Sequence, residues 1–98
     1  DVDSTPLVEL SRALARAEDP ELIKGFLESL LTENEVTDIS SRWTLVRLLE
    51  RGMSQRTISR ELGLSLCKIT RGSRELKKDA SPFADMIRLY QAENPPQE

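Results

Sequence analysis

Apolar residues recur along the chain at intervals of three and four, and no stretch alternates apolar with polar as a half-buried strand would. That period predicts helices, and the residues between the apolar stretches mark where each one starts and stops. Thr5-Pro6 pairs an N-cap with a proline at the first helical position, ahead of Leu7, Leu10 and Leu14 on one face of a helix reaching about Arg16. Asp19-Pro20 repeats the device before a wider stripe formed by Leu22, Ile23, Phe26, Leu27, Leu30 and Leu31. Thr32 and Glu35 have the spacing of a capping box, in which hydroxyl and carboxylate each satisfy the other's amide. The long third helix that follows carries Val36, Ile39, Trp43, Val46 and Leu49, with Leu45 and Leu48 beside them, as far as Gly52. Two short helices come next: one from Ser54 with Ile58 and Leu62, ended by Gly63, and one capped at once by Ser65. A sixth starts at Ser81-Pro82, places Phe83, Met86, Ile87 and Tyr90 on one face, and frays toward Pro95-Pro96. The pattern predicts an all-α chain of six helices, with residues 94–98 as a disordered tail.

Length allows one domain over residues 1–98. A core cut from 38% apolar residues is small, and the stripes on the first three helices exceed what one such chain can bury. A homodimer is therefore expected, with a dimerisation core from residues 7–51 and 82–92. The lone Cys67 excludes an internal disulfide, and the absence of histidine removes the commonest general base and metal ligand. Neither a glycine-rich phosphate loop nor a paired-carboxylate constellation is present, so neither an enzyme nor a bound metal or cofactor is expected. Apolar runs fall far short of a membrane span, and the start has no basic region followed by a greasy stretch, so a cytoplasmic protein is expected. Because the chain opens on Asp1 rather than Met, its original amino terminus is expected to lie upstream.

The net charge of −3 hides a strong segregation. Residues 1–40 hold ten acids against three bases, whereas residues 41–78 hold ten bases against three acids. A basic middle can contact phosphates despite a negative total. Its two short helices also meet the steric needs of a helix-turn-helix over residues 54–78: Ser59 is small where the helices cross, Gly63 supplies a turn, and Ile58, Leu62, Leu64 and Ile69 form an inner core. Lys68, Thr70 and Arg71 then face outward, and the turn capped by Ser65 is placed to enter a major groove. An ordinary helical hairpin, within a protein-interaction adaptor, is the competing reading. Trp43 on an apolar face reads as core, and Cys67 as a position where alanine would also serve. Gly72, inside the second short helix, costs about 1 kcal/mol relative to alanine, so something is expected to need the space.

Met53-Ser54-Gln55-Arg56, the spacing to Gly63, and Ile69-Thr70-Arg71-Gly72-Ser73 followed by Leu76-Lys77 resemble the tryptophan repressor family, as do Leu30-Leu31-Thr32 and Arg42. The resemblance covers roughly residues 22–78 and implies an intertwined homodimer that binds double-stranded operator DNA with L-tryptophan as corepressor. It implies that Arg42 and Arg71 sandwich the indole, that Arg71 and Thr32 hold the carboxylate, and that carbonyls near Ser29 and Leu31 receive the ammonium. Gly72 would leave room beside the ring. On the DNA side it assigns Arg56 to a guanine edge, Gln55, Ser73, Arg74 and Lys77 to phosphates, and Leu66, Cys67, Lys68 and Thr70 to the neighbourhood of bases or backbone. Three features depart from the family pattern: one residue fewer between Arg42 and Met53, Ser59 in place of a basic residue, and Glu75 where a small polar residue lies near the ligand's amino group. A regulator of the same fold with another ligand, or none, is the alternative within the family.

Overall fold

A computed structural model describes residues 5–93 of the chain, so the predicted disorder of residues 94–98 lies outside the described residues. The described residues form six helices: α1 (Pro6–Arg16), α2 (Pro20–Leu30), α3 (Glu33–Glu50), α4 (Gln55–Leu62), α5 (Leu66–Lys77) and α6 (Pro82–Glu93). Each begins where a side chain can occupy its free amides. Thr5 accepts from the Val8 amide, Asp19 from Glu21, Ser54 from Thr57, Ser65 from Lys68 and Ser81 from Ala84. At α3 both halves of the capping box form: Thr32 Oγ1 accepts from the Glu35 amide at 3.1 Å, and Glu35 Oε1 accepts from the Thr32 amide at 2.9 Å.

The helix stops use glycine where the backbone turns left-handed. After α3, Gly52 has φ of 96°, its amide donates to the Leu49 carbonyl, and the Met53 amide donates to Leu48. This paired closure satisfies two otherwise orphaned carbonyls. After α4, Gly63 at φ 66° donates to the Ser59 carbonyl.

The chain divides into two compact units, residues 1–38 and 39–98. In the first, neither α1 nor α2 buries a single residue. Leu7, Leu22 and Leu30 are 70%, 61% and 53% exposed, and Ala13, Leu14, Ala17, Leu22, Ile23 and Phe26 line an apolar hollow of about 180 Å³. In the second unit Leu45 and Val46 of α3, Ile58 of α4, Ile69 of α5 and Ile87 of α6 form a fully buried centre. Trp43, Leu48, Leu49, Leu62, Leu64, Leu76 and Phe83 pack around it. The apolar face expected for α6 is narrower than its spacing predicts: Ile87 is buried and Phe83 half-buried, while Met86 is 56% and Tyr90 39% exposed. Trp43 takes the core position expected of it, stacked on Phe83 at 5.8 Å and edge-on to Tyr90 at 6.2 Å.

Candidate ligand cleft and nucleic-acid interface

α4 and α5 are joined by Gly63, Leu64 and Ser65 alone. Ile58 and Ile69 are both fully buried in one core cluster. The half-buried Ser59 donates its hydroxyl to the Leu64 carbonyl at 2.8 Å and so pins the turn from within. The two helices are tied again where the Thr70 hydroxyl, in the first half of α5, donates to Gln55 Oε1 at the start of α4 at 3.3 Å. Neither bond is visible in the sequence, since serine at a crossing and threonine on a helix are ordinary for other reasons.

At about 100° per residue, α5 presents three faces. Ile69 and Ser73 are buried on its inner face. Leu66, Cys67, Thr70, Arg74 and Lys77 share the side next to it, with Leu66, Cys67, Arg74 and Lys77 exposed. Arg56 is exposed on α4 and Gln55 half-buried beside Thr70. The structure thus gathers most of the residues assigned to DNA into one solvent-facing surface. Two fall elsewhere. Ser73, at 7% exposure, lies inward with Ile69, and Lys68 points into a cleft on the third face.

That cleft, about 360 Å³, is lined by Lys68, Arg71, Gly72 and Glu75 of α5, by Arg42, Leu45 and Val46 of α3, and by Phe83. The spacings explain the convergence. Lys68, Arg71, Gly72 and Glu75 stand three, four and seven residues apart, and Arg42, Leu45 and Val46 three and four apart, so each set occupies one stripe of its helix. Leu45, Val46 and Phe83 supply an apolar floor, while the charged groups stand at the mouth. Size and lining suit a small molecule with a flat apolar body and a charged end. Of the residues assigned to a ligand, Arg42, Arg71, Gly72 and Glu75 come together here; Lys68 and Phe83 are additions that the sequence did not single out for this role. Phe83 in particular arrives from a helix outside the matching motifs.

Gly72 has a reason of its own besides leaving room for a ring. A Cβ at this position would lie 3.3 Å from Val46 Cγ2 and 3.4 Å from Leu45 Cδ2, so the glycine lets α5 lie close against α3. Gly72→Leu is therefore expected to destabilise the fold by about 1–3 kcal/mol through overpacking. Urea denaturation reads this directly, and an unchanged midpoint would show that the contact has slack.

Glu75 is ionised and already engaged. The hydrogen bond from Lys78, with Nζ 2.8 Å from Glu75 Oε2, holds its carboxyl below the usual range; partial desolvation works against this, and the charges of Lys78 and Arg71 add to the lowering. In the first unit, Ser29 donates its hydroxyl to the Gly25 carbonyl at 2.9 Å, Leu31 is half-buried, and exposed Thr32 uses its oxygen as the α3 cap. Among the described residues no group of three or more His, Cys, Asp or Glu is arranged to hold a metal ion, and no helix is long and apolar enough to cross a membrane.

An all-helical chain whose described residues hold a tight two-helix unit with basic side chains on its outer face has the layout of a DNA-binding regulator. Comparison with known proteins gives the family: residues 5–91 match the Trp repressor protein family, and the chain belongs to it. A Trp operon repressor homolog of Vibrio parahaemolyticus is 34% identical over 88 residues, covering 89% of this chain and 82% of the relative. Relatives of the same name are 35% identical over 69 residues in Xylella fastidiosa, covering 69% of this chain and 75% of theirs, and 30% identical over 74 residues in Chlamydia trachomatis, covering 74% and 79%. No solved structure gives a significant match. As a member of this family the protein is a DNA-binding transcriptional repressor and not an enzyme.

Proposed function

We infer that the protein is a homodimeric repressor switched on by L-tryptophan, with the ligand seated in the cleft between α3 and α5 and operator DNA on the outer face of α5. The observation that carries this reading is the convergence of Arg42 and Arg71, 29 positions apart in the chain, on one cleft with an apolar floor. Guanidinium planes stack on an indole and pair with a carboxylate, which suits an aromatic amino acid. Thr32, Ser29 and Leu31, which the resemblance assigns to the ligand's carboxylate and ammonium, belong to the first unit and enter this reading through the family pattern alone. Arg56 would read a guanine edge; Gln55, Arg74 and Lys77 would hold phosphates; Leu66, Cys67 and Thr70 would lie against the bases or backbone. Ser73 drops out of the DNA set because it is buried. A second copy would cover the apolar faces of α1 and α2, which expose leucines that an isolated chain of this size has no means to bury.

Ligand binding to the folded state alone raises stability by RT ln(1 + [L]/Kd), about 2.7 kcal/mol at one hundred times Kd. Millimolar L-tryptophan is accordingly expected to raise the melting temperature by several degrees, and operator affinity with it, while Arg71→Ala loses both responses. A wild type that binds operator tightly with or without the amino acid, and melts at one temperature in both conditions, is a ligand-independent regulator instead.

A further inference from the structure

Of the three residues that floor the cleft, Leu45 and Val46 are fixed in the core, whereas Phe83 is half-buried and belongs to another helix. Something has to hold its ring in place. The ring of Trp43 lies against it, offset-stacked with centroids 5.8 Å apart and planes inclined by 17°. Tyr90 meets Trp43 edge-on at 6.2 Å, and the Arg47 guanidinium carbon sits 4.7 Å from the centre of the Tyr90 ring. Each contact falls within the range over which aromatic pairs and cation–π pairs attract. Trp43 and Arg47 stand four positions apart on α3, and Phe83 and Tyr90 seven apart on α6, so each pair occupies one stripe of its helix and the four groups interleave. The series starts at the cleft and ends on a cation.

We propose that Trp43 is a positioning residue for the effector: by bracing Phe83 it fixes the depth of the cleft, and so sets the longest aromatic ring that the cleft accepts. The proposal rests on the reading of the cleft as the effector site, and it adds what limits the ligand's size there. With charged groups at the mouth and apolar residues at the floor, a ligand with one charged end presents the far edge of its ring to the floor. A floor that yields takes a longer ring by a small displacement. A braced one rejects it, because close-packed side chains resist overpacking. Trp43 does not itself line the cleft, so its effect reaches the ligand only through Phe83.

Calorimetric titration with L-tryptophan and with 6-methoxy-L-tryptophan, which is longer at the ring edge away from the head group, tests this on the wild type, Trp43→Leu, Trp43→Phe, Tyr90→Leu and Ile58→Val. The readout is the ratio of the two dissociation constants, which a smaller folded fraction leaves unchanged because it weakens both ligands by one factor. The wild type should prefer L-tryptophan by about tenfold or more, the discrimination that one misfitting group produces in an apolar pocket. Trp43→Leu should bring the ratio to within about threefold of unity, chiefly by tightening the methoxy ligand, whereas Trp43→Phe, which keeps a ring against Phe83, should retain most of the preference. Tyr90→Leu, at an exposed position further along the stack, should reduce the ratio by about two- to threefold, and it remains readable if Trp43→Leu fails to fold. Ile58→Val, in the same core but outside the stack, should leave the ratio as it is. A wild-type ratio near one, a ratio unchanged in Trp43→Leu or Tyr90→Leu, or an equal loss in Trp43→Phe and Trp43→Leu overturns the bracing role while the effector site stands. A wild type that takes up neither ligand overturns the effector site and this role together.

Discussion

Replacing Ile69 by alanine should cost about 2–5 kcal/mol of stability, the range seen when a buried branched side chain is cut back to a methyl and the cavity fails to close. Ile69 is 0% exposed and belongs to the same buried centre as Leu45, Val46, Ile58 and Ile87. It sits in the first turn of α5, so the cavity opens just where the outer helix is held to the rest of the unit. The neighbours cannot easily collapse into the gap, because four helices contribute to it and each is fixed at its start by a cap. A chain of this length has only about 5–15 kcal/mol of net stability, so the loss is a large fraction of the total. Leu66, three residues earlier and 52% exposed, is the control: Leu66→Ala is expected to stay within about 0.5 kcal/mol. Guanidinium titration at a fixed protein concentration measures both, the concentration being held because assembly would feed into apparent stability. Equal midpoints for the two variants would mean that the centre of the second unit is looser than its exposure values imply.

Removing one phosphate contact per subunit should have a comparably large effect on DNA binding. Each phosphate neutralised by a cation releases condensed counterions, so affinity falls steeply with salt, with a slope proportional to the number of contacts. Lys77 is exposed at the end of α5, on the same side as Arg74 and Thr70, and belongs to neither the cleft nor the core. Lys77→Ala is expected to weaken binding to cognate and random duplexes alike and to reduce the salt slope by about one per subunit. Arg56→Ala, by comparison, should cost about 1–3 kcal/mol chiefly on the cognate site. Fluorescence anisotropy between 50 and 200 mM salt distinguishes the two. A slope unchanged in Lys77→Ala would move the phosphate contacts off this face of α5.

Every helix start could be read from the sequence, because an N-cap is a matter of three or four neighbouring residues: Thr5, Asp19, Thr32 with Glu35, Ser54, Ser65 and Ser81 all occupy the amides that their spacing designates. The inner contact of α4 with α5 was legible for the same reason, since Ile58, Leu62, Leu64 and Ile69 lie within one short stretch. What escaped involves partners distant in the chain or the exact bearing of a side chain around its helix. Gly72 could be marked as unusual, but not that Leu45 and Val46 lie against it. Lys68 looks like any outward cation until its helix is turned so that Ile69 faces the core, which puts Lys68 on the cleft side and Ser73 inside. Phe83 was assigned to the core stripe of α6, and its second surface at the cleft depends on how that helix docks. Met86 shares the helical spacing of Ile87, yet neighbours three and four apart span too wide an arc for one small core to cover, and Met86 is left outside.

Phe83 touches two things at once: one surface lines the cleft and the other stacks on Trp43, the single tryptophan of the chain. The protein thus carries a built-in optical and magnetic reporter of cleft occupancy, with one indole separated from any bound molecule by one phenyl ring. An indolic ligand would mask its emission, but 5-fluorotryptophan incorporated during synthesis would give the protein a single fluorine resonance in that stack. Filling of the cleft can then be followed without a label on ligand or DNA, and without disturbing any residue that touches either.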